Sequence, residues 1–138
     1  MILFDVEADN LLEDATKIHC LSYTTDGSDY TTLFDYDEMR ELVLSQRGLI
    51  GHNIIRYDIP LLEKILDIKI TARLFDTLPM SWVLNYNRPR HGLETFGEDF
   101  GIPKPQITDW TNLSKEEYAH RCTEDVKINW QLWCNLLK

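Results

Sequence analysis

The segment MILFDVEAD, residues 1–9, decides the fold because it places two acidic side chains where a buried strand ends. Met1 to Phe4 is a short apolar run, which is typical of a strand buried in a sheet. Side chains two apart on a strand point to the same face, so Asp5 and Glu7 would face one site together. Two neighbouring carboxylates repel each other unless a cation neutralises them, and the hard ions Mg²⁺ and Mn²⁺ prefer oxygen ligands. We therefore expect a metal site at this strand.

The composition indicates one small globular domain. The chain has 138 residues, of which 43% are hydrophobic, and we predict a single domain over residues 1–138. The N-terminus lacks signal-peptide character and no apolar run approaches a membrane span, so we expect a cytoplasmic protein with no membrane partner. Its three cysteines form no C-x-x-C pair, which argues against disulfides and zinc. The net charge of −9 disfavours phosphate contacts, but metal ligands would account for several of these charges.

The pattern that follows the first strand predicts an α/β fold. Four further segments have the alternation or the short apolar runs of strands: residues 17–24, 30–34, 48–51 and about 68–74. Four segments have helical spacing: residues 36–46, 57–66, 78–84 and 93–100. Strands come first and strand–helix alternation follows, which predicts a mixed five-stranded sheet with helices on its faces.

The last helix has the clearest sequence signature. An irregular stretch, residues 101–112, precedes it, and Ser114 with Glu117 forms an S-x-x-E capping box. From there apolar residues recur every three or four positions to the C-terminus. Asp125 lies within this helix among apolar neighbours, where an uncompensated acid is unfavourable. A role as a metal ligand therefore fits Asp125 better than a purely structural role.

Three motifs occur in an informative order along the chain. They are Asp5-Val6-Glu7 on the first strand, residues 53–58 (NIIRYD) after a later strand, and residues 120–125 (HRCTED) on the last helix. With these motifs the chain resembles, over nearly its whole length, the DEDD or DnaQ-like superfamily of 3′-to-5′ exonucleases. Residues 75–78 (FDTL) and 91–97 (HGLETFG) further resemble the proofreading domains of phage and bacterial family A DNA polymerases. The resemblance implies a ribonuclease H-like fold.

The resemblance also implies a metal site and an activity. Two divalent cations, Mg²⁺ or Mn²⁺, would be held by Asp5, Glu7, Asp58 and Asp125. Asp5 would bridge both ions, Glu7 and Asp125 would complete one site, and Asp58 would lie in the second sphere of the other. From its position alone Asp58 is also a candidate helix N-cap, because it begins a predicted helix. The implied reaction releases nucleoside 5′-monophosphates from the 3′ end of single-stranded DNA, with RNA as the alternative substrate.

Two residues compete for the role beside the attacking water. The third motif matches the histidine branch of the superfamily, in which His120 would be the general base, and a pKa near neutrality suits that task. The proofreading domains belong instead to the tyrosine branch, whose tyrosine stands four residues before the aspartate. Here that position is Arg121, which cannot act as a base at neutral pH. Arg121 would then contact phosphate, and the water would be activated without a protein base.

The remaining predictions concern substrate and partners. Asn53 would hydrogen-bond the terminal nucleotide or stabilise its own turn, and Leu11 and Tyr57 would flank the last base unless Tyr57 belongs to the core. A DNA polymerase or a second copy of the chain would extend the cleft. Two alternatives remain: an RNA exonuclease that trims short oligomers, and a non-catalytic binding module such as a detached polymerase subunit. The complete set of four acids argues against the non-catalytic module.

Overall fold

The structure is a computed structural model that describes residues 1–102 and 113–138. The strands in these ranges are β1 Ile2–Ala8, β2 Ile18–Thr24, β3 Tyr30–Leu33, β4 Gly48–Gly51 and β5 Arg73–Asp76. The helices are α1 Tyr36–Ser45, α2 Ile59–Leu66, α3 Thr77–Leu84, α4 Leu93–Phe100 and α5 Lys115–Leu136, and a π-helical turn, Ile54–Asp58, precedes α2. The predicted loop at residues 101–112 lies largely outside the described residues. No described helix combines the length and the apolar character that crossing a membrane requires.

The sheet is mixed and has β1 at its centre. Its strand order is β3-β2-β1-β4-β5. The pairs β1–β2 and β2–β3 are antiparallel, whereas β1–β4 and β4–β5 are parallel. The prediction of a mixed five-stranded sheet flanked by helices is confirmed. The strand that carries Asp5 and Glu7 is thus supported by a neighbour on each side.

The two faces of β1 have different partners. On one face its side chains join the larger core with residues of α1 and α2: Ile2, Phe4 and Val6. On the other face Leu3 packs with Val126 and Trp133 of α5. Asp5 and Glu7 follow Leu3 on this second face because side chains alternate along a strand. Burying each of these large apolar side chains is worth about 1.5–3 kcal/mol, so packing on both faces holds the two acids opposite α5.

Both acids lie on the first strand, as predicted, but one other strand boundary is wrong. Pairing of β1 with β2 extends past both acids to Ala8, with Asp5 opposite Ser22 and Glu7 opposite Cys20. The last strand was predicted around residues 68–74, but β5 begins at Arg73. The apolar residues at positions 68–72 pack against the larger core as a connection. Their alternation therefore reflects packing and not strand pairing.

The predicted capping box fixes the start of α5. Ser114 Oγ accepts a hydrogen bond from the Glu117 N–H at 3.2 Å, and Glu117 Oε1 accepts one from the Ser114 N–H at 3.3 Å. This pair of bonds satisfies two N–H groups that the first turn of a helix otherwise leaves without partners. The helix packs against β1 and β2. Its starting point sets which α5 side chains face the acids of β1.

A glycine in the β2–β3 hairpin allows the far half of α5 to approach the sheet. Gly27 has φ +77°, a conformation that L side chains rarely adopt. A Cβ atom at this position would overlap the indole of Trp130. The hydroxyl of Tyr30 donates to the Gly27 carbonyl at 2.8 Å. Both the backbone and the packing therefore require glycine here.

We expect Gly27→Ala to lower the free energy of unfolding by about 2–4 kcal/mol, through left-handed strain and the overlap with Trp130. Gly101→Ala is the matched control, because Gly101 has φ +73° and a Cβ added there would have no described neighbour within 4 Å. The control variant has only the strain of the left-handed backbone, so its free energy of unfolding should fall by only about 1 kcal/mol. Urea denaturation followed by tryptophan fluorescence measures both values. Equal losses would contradict a role for the Trp130 contact.

Candidate active site

Three of the predicted acids meet between the sheet and α5. Asp5, Glu7 and Asp125 each offer one oxygen, and these oxygens all lie within 4.8 Å of one another. Mg²⁺ holds its oxygen ligands at about 2.0–2.1 Å, so ligands on opposite sides of one ion are about 4.2 Å apart. The three carboxylates therefore fit around a single hard divalent cation.

Asp58 is the fourth acid, and it is buried beside this group. Its exposed fraction is 4%, and its Oδ2 atom has no hydrogen-bond partner among the described residues. Burial raises the pKa of Asp58 well above its usual value, against the effect of a hydrogen bond from the Val6 backbone. The charges of Asp76, Glu7 and Asp125 raise this pKa further. A buried carboxylate in such surroundings is unfavourable unless a proton or a cation neutralises it.

The turn that carries Asp58 is held in place by Asp76. Asp76 Oδ1 accepts from the N–H groups of Asn53 at 2.7 Å and Leu78 at 3.0 Å, and its Oδ2 accepts from the Ile55 N–H at 3.0 Å. Asn53 has φ +64°, a left-handed conformation that asparagine tolerates. The alternative role of Asp58 as a helix N-cap is wrong, because its backbone is already helical and its side chain makes no capping bond.

Two histidines near this turn make structural contacts. His52 Nδ1 lies 2.8 Å from Thr77 Oγ1, and its Nε2 lies 2.7 Å from the His91 carbonyl. His91 is buried, and its Nδ1 lies 2.6 Å from Ser81 Oγ. These bonds tie the end of β4 to α3 and to the segment before α4. They hold the backbone that leads into Asn53.

Arg121 lies beside one of the carboxylates, and its neighbour His120 is the other residue predicted to act near the attacking water. Arg121 Nε lies 3.3 Å from Glu7 Oε1, and the two side chains are 19% and 15% exposed. His120 is exposed on the second turn of α5. At about 100° per residue, a position four before Asp125 is displaced by about 40° and a position five before by about 140°. The role of His120 as general base stays a prediction.

The predicted substrate residues lie along the loop after β1 and the π turn. The Tyr57 hydroxyl donates to the Asn10 carbonyl at 2.8 Å, and the adjacent Leu11 is 75% exposed. Burial raises the pKa of Tyr57, and the charges of Asp58 and Glu7 add to this effect. Tyr57 therefore lies within electrostatic reach of the acids, and Leu11 is available to contact a base.

Residues of α5 and β2 that the sequence did not single out also reach the acids. The Cys122 thiol donates to the Asp5 carbonyl at 3.1 Å, and burial raises its pKa well above the usual value, so it stays protonated. Tyr118 stacks on His19 with ring centroids 4.0 Å apart. Burial raises the pKa of Tyr118, and the charge of Glu7 raises it further. Tyr118 precedes Asp125 by seven residues, a helical spacing that would have placed it on the same face.

Asn53 also lines a groove. Its volume is about 280 Å³, and its lining includes Ile55, Arg56, Pro79 and Trp82. Trp82 stacks on His91 with ring centroids 3.9 Å apart and remains 52% exposed. An exposed indole beside an exposed arginine can bind a nucleobase and its phosphate.

Comparison with known proteins relates the chain to polymerases by sequence. No protein-family model matches it. The DNA-directed DNA polymerase of Escherichia phage T7 is 31% identical over 159 residues, which cover 92% of this chain and 23% of the polymerase. The polymerase of Enterobacteria phage T3 gives the same identity and coverage. The chain thus spans about a quarter of the length of the curated relatives it matches.

Solved nuclease structures share the fold. NrnC of Brucella melitensis has a TM-score of 0.76 and 19% identity, over 99% of this chain and 71% of NrnC. NrnC with bound Mg²⁺ and NrnC bound to pGG give TM-scores of 0.75 and 0.77. Exonuclease X in complex with 5′ overhanging duplex DNA has a TM-score of 0.63 and 8% identity, over 97% of this chain and 91% of that one. The mixed sheet, its flanking helices and these likenesses show that the chain has a ribonuclease H-like fold of the DEDD exonuclease type.

Proposed function

We propose that residues 1–138 form a metal-dependent 3′-to-5′ exonuclease domain that releases nucleoside 5′-monophosphates from single-stranded DNA. The observation that carries this proposal is the convergence of Asp5, Glu7 and Asp125, with the buried Asp58 beside them. The likeness to NrnC with bound Mg²⁺ and to exonuclease X with DNA supports the use of a divalent metal and a nucleic-acid substrate. The likeness to the phage polymerases favours DNA.

The carboxylates would divide two divalent cations, Mg²⁺ or Mn²⁺, between them. Asp5 would contact both ions, Glu7 and Asp125 would complete one site, and Asp58 would orient the ligands of the other. When bound, the ions neutralise charge on the attacking water and on the leaving 3′ oxygen. The chain itself holds the oxygens in place through the packing of β1, the Cys122 bond to Asp5 and the turn that carries Asp58.

The 3′-terminal nucleotide would lie between the loop after β1 and the π turn. Leu11 and Tyr57 would flank its base, and Asn53 would hydrogen-bond it. Arg121 would approach its phosphate from α5, and the groove with Arg56 and Trp82 would take an adjoining nucleotide. With a net charge of −9 the chain would make few phosphate contacts, so we infer a weak, distributive enzyme. A DNA polymerase or a second copy of the chain would strengthen its grip.

A second candidate function is the trimming of short RNA. The likeness to NrnC bound to pGG favours it, and the same carboxylates would perform it. A non-catalytic binding module is the remaining alternative, because arginine stands where the tyrosine branch has its tyrosine. The two exonuclease functions differ in whether DNA or RNA is shortened, whereas the binding module would shorten neither.

With Mg²⁺ or Mn²⁺ we expect stepwise shortening of a 5′-labelled DNA oligonucleotide, and EDTA should abolish it. Asp5→Asn should lower the rate by at least about 10³-fold, because it removes the ligand that both metals would share. Asp14→Asn makes the same charge change at an exposed site and should leave the rate unchanged. An RNA oligonucleotide of the same sequence tests whether the enzyme prefers ribose or deoxyribose. A 3′-labelled strand tests the direction, because digestion from the 3′ end releases the label as a mononucleotide. If metal binds and neither polymer shortens, the binding module becomes the better proposal.

Asp58→Asn should stabilise the metal-free protein at pH 7. The folded state binds the Asp58 proton more tightly than the unfolded chain does, so stability falls as pH rises from 3.8 through the raised pKa. Removing this charge should raise the free energy of unfolding by at least about 1 kcal/mol, which corresponds to a few degrees in Tm. The gain should shrink as the pH falls toward the pKa of free aspartate. Thermal unfolding in EDTA measures the effect, with Asp14→Asn as control. A destabilised variant at pH 7 would contradict the argument.

If His120 is the general base, His120→Ala should lower kcat by about 10²–10⁴-fold, because proton transfer from the attacking water would be lost. Glu116→Ala, on the same exposed part of α5, is the control. A variant that keeps the rate of wild type would show that the water is activated without this side chain.

A further inference from the structure

We propose that Arg121 is an internal counter-ion that pairs with Glu7 in the metal-free protein and must leave it when a divalent cation binds. Arg121 would then set the metal affinity of the site, and with it the metal concentration at which the domain becomes active. This inference rests on the proposed function, which assigns Glu7 as a metal ligand.

The position of the ion pair carries the first step. Arg121 Nε lies 3.3 Å from Glu7 Oε1, and less than a fifth of either side chain is exposed. Glu7 also offers one of the three oxygens that lie within 4.8 Å of one another. Arg121 stands one helical turn before Asp125, so both side chains approach Glu7 from the same part of α5. The guanidinium therefore lies at the edge of the space that a cation would fill.

The chemistry of arginine carries the second step. A guanidinium stays charged at every pH at which the protein is folded, so deprotonation cannot remove it from the site. A divalent ion about 2.1 Å from a Glu7 oxygen would lie within a few ångströms of this positive charge, where little water screens the repulsion. The cation and the guanidinium thus compete for the same carboxylate. Metal binding requires Arg121 to move away from Glu7 or to accept a strongly repulsive position.

The same helix provides a control ion pair that includes none of the four predicted metal ligands. Lys127 Nζ lies 3.0 Å from Glu124 Oε1, with side chains 40% and 15% exposed. Removing the Lys127 charge lowers the total positive charge as much as removing the Arg121 charge does. The two changes differ in which carboxylate loses its partner.

The test is titration calorimetry of Mn²⁺ with the whole chain in four forms: wild type, Arg121→Gln, Arg121→Lys and Lys127→Gln. We expect Arg121→Gln to bind Mn²⁺ about tenfold more tightly than wild type, because the competing charge is gone. Arg121→Lys keeps the charge and should stay within about threefold of wild type, and Lys127→Gln within about twofold.

The outcomes separate this inference from the proposed function. If wild type and Arg121→Gln bind Mn²⁺ equally, or the variant binds more weakly, the counter-ion role is overturned and the metal site stands. If no form binds Mn²⁺, both proposals fail. Binding by Arg121→Gln where wild type shows none would support the inference most strongly.

A measurement on wild type keeps the test valid if Arg121→Gln does not fold. The Arg121 Nε–H signal in a ¹⁵N spectrum, assigned by its absence in Arg121→Lys, reports directly on the ion pair. We expect it to shift in step with Mg²⁺ saturation as the guanidinium leaves Glu7. A signal that stays unchanged while Mg²⁺ binds would overturn the inference.

Discussion

Mutual repulsion among four carboxylates is the constraint on which the rest of the structure depends. Asp5, Glu7, Asp58 and Asp125 come from one central strand, one turn and one long helix, and each would separate from the others in water. Apolar packing on both faces of β1 supplies the opposing force. Apolar and acidic residues alternate from Phe4 to Ala8, so one face of the strand is buried while the other presents the two acids. The apolar packing therefore lies on the same strand as two of the acids that it holds together.

Much of this arrangement follows from local sequence rules. The period of two along β1 places Asp5 and Glu7 together, and the capping box at Ser114 fixes the start of α5. An acid at position 125 among apolar helix residues is unusual enough to indicate a ligand. Each of these predictions needs only the geometry of a single strand or helix, so each can be made from the sequence.

Other features depend on how separate elements meet, and the sequence cannot fix them. The approach of Arg121 to Glu7 and of Cys122 to the Asp5 backbone requires the register of α5 over β1. The start of β5 at Arg73 depends on its pairing with Gly48. The π turn replaces the expected first turn of a helix, and it buries Asp58 where a helix N-cap would be exposed. The likeness to known nucleases gives the fold, and not the role of a single residue such as His120 or Arg121.

The carboxylate of Asp76 has a consequence for which residues this position can tolerate. Serine or threonine caps most helices well, and either would serve α3 alone. A hydroxyl has too few acceptor sites, in the wrong directions, for the three N–H groups that the two oxygens of Asp76 receive. An asparagine would present one acceptor oxygen and oppose an N–H with another donor. The hydrogen bonds of the turn therefore require a fifth acid near Asp58. The Asp76 side chain that shapes the turn also raises the pKa of Asp58.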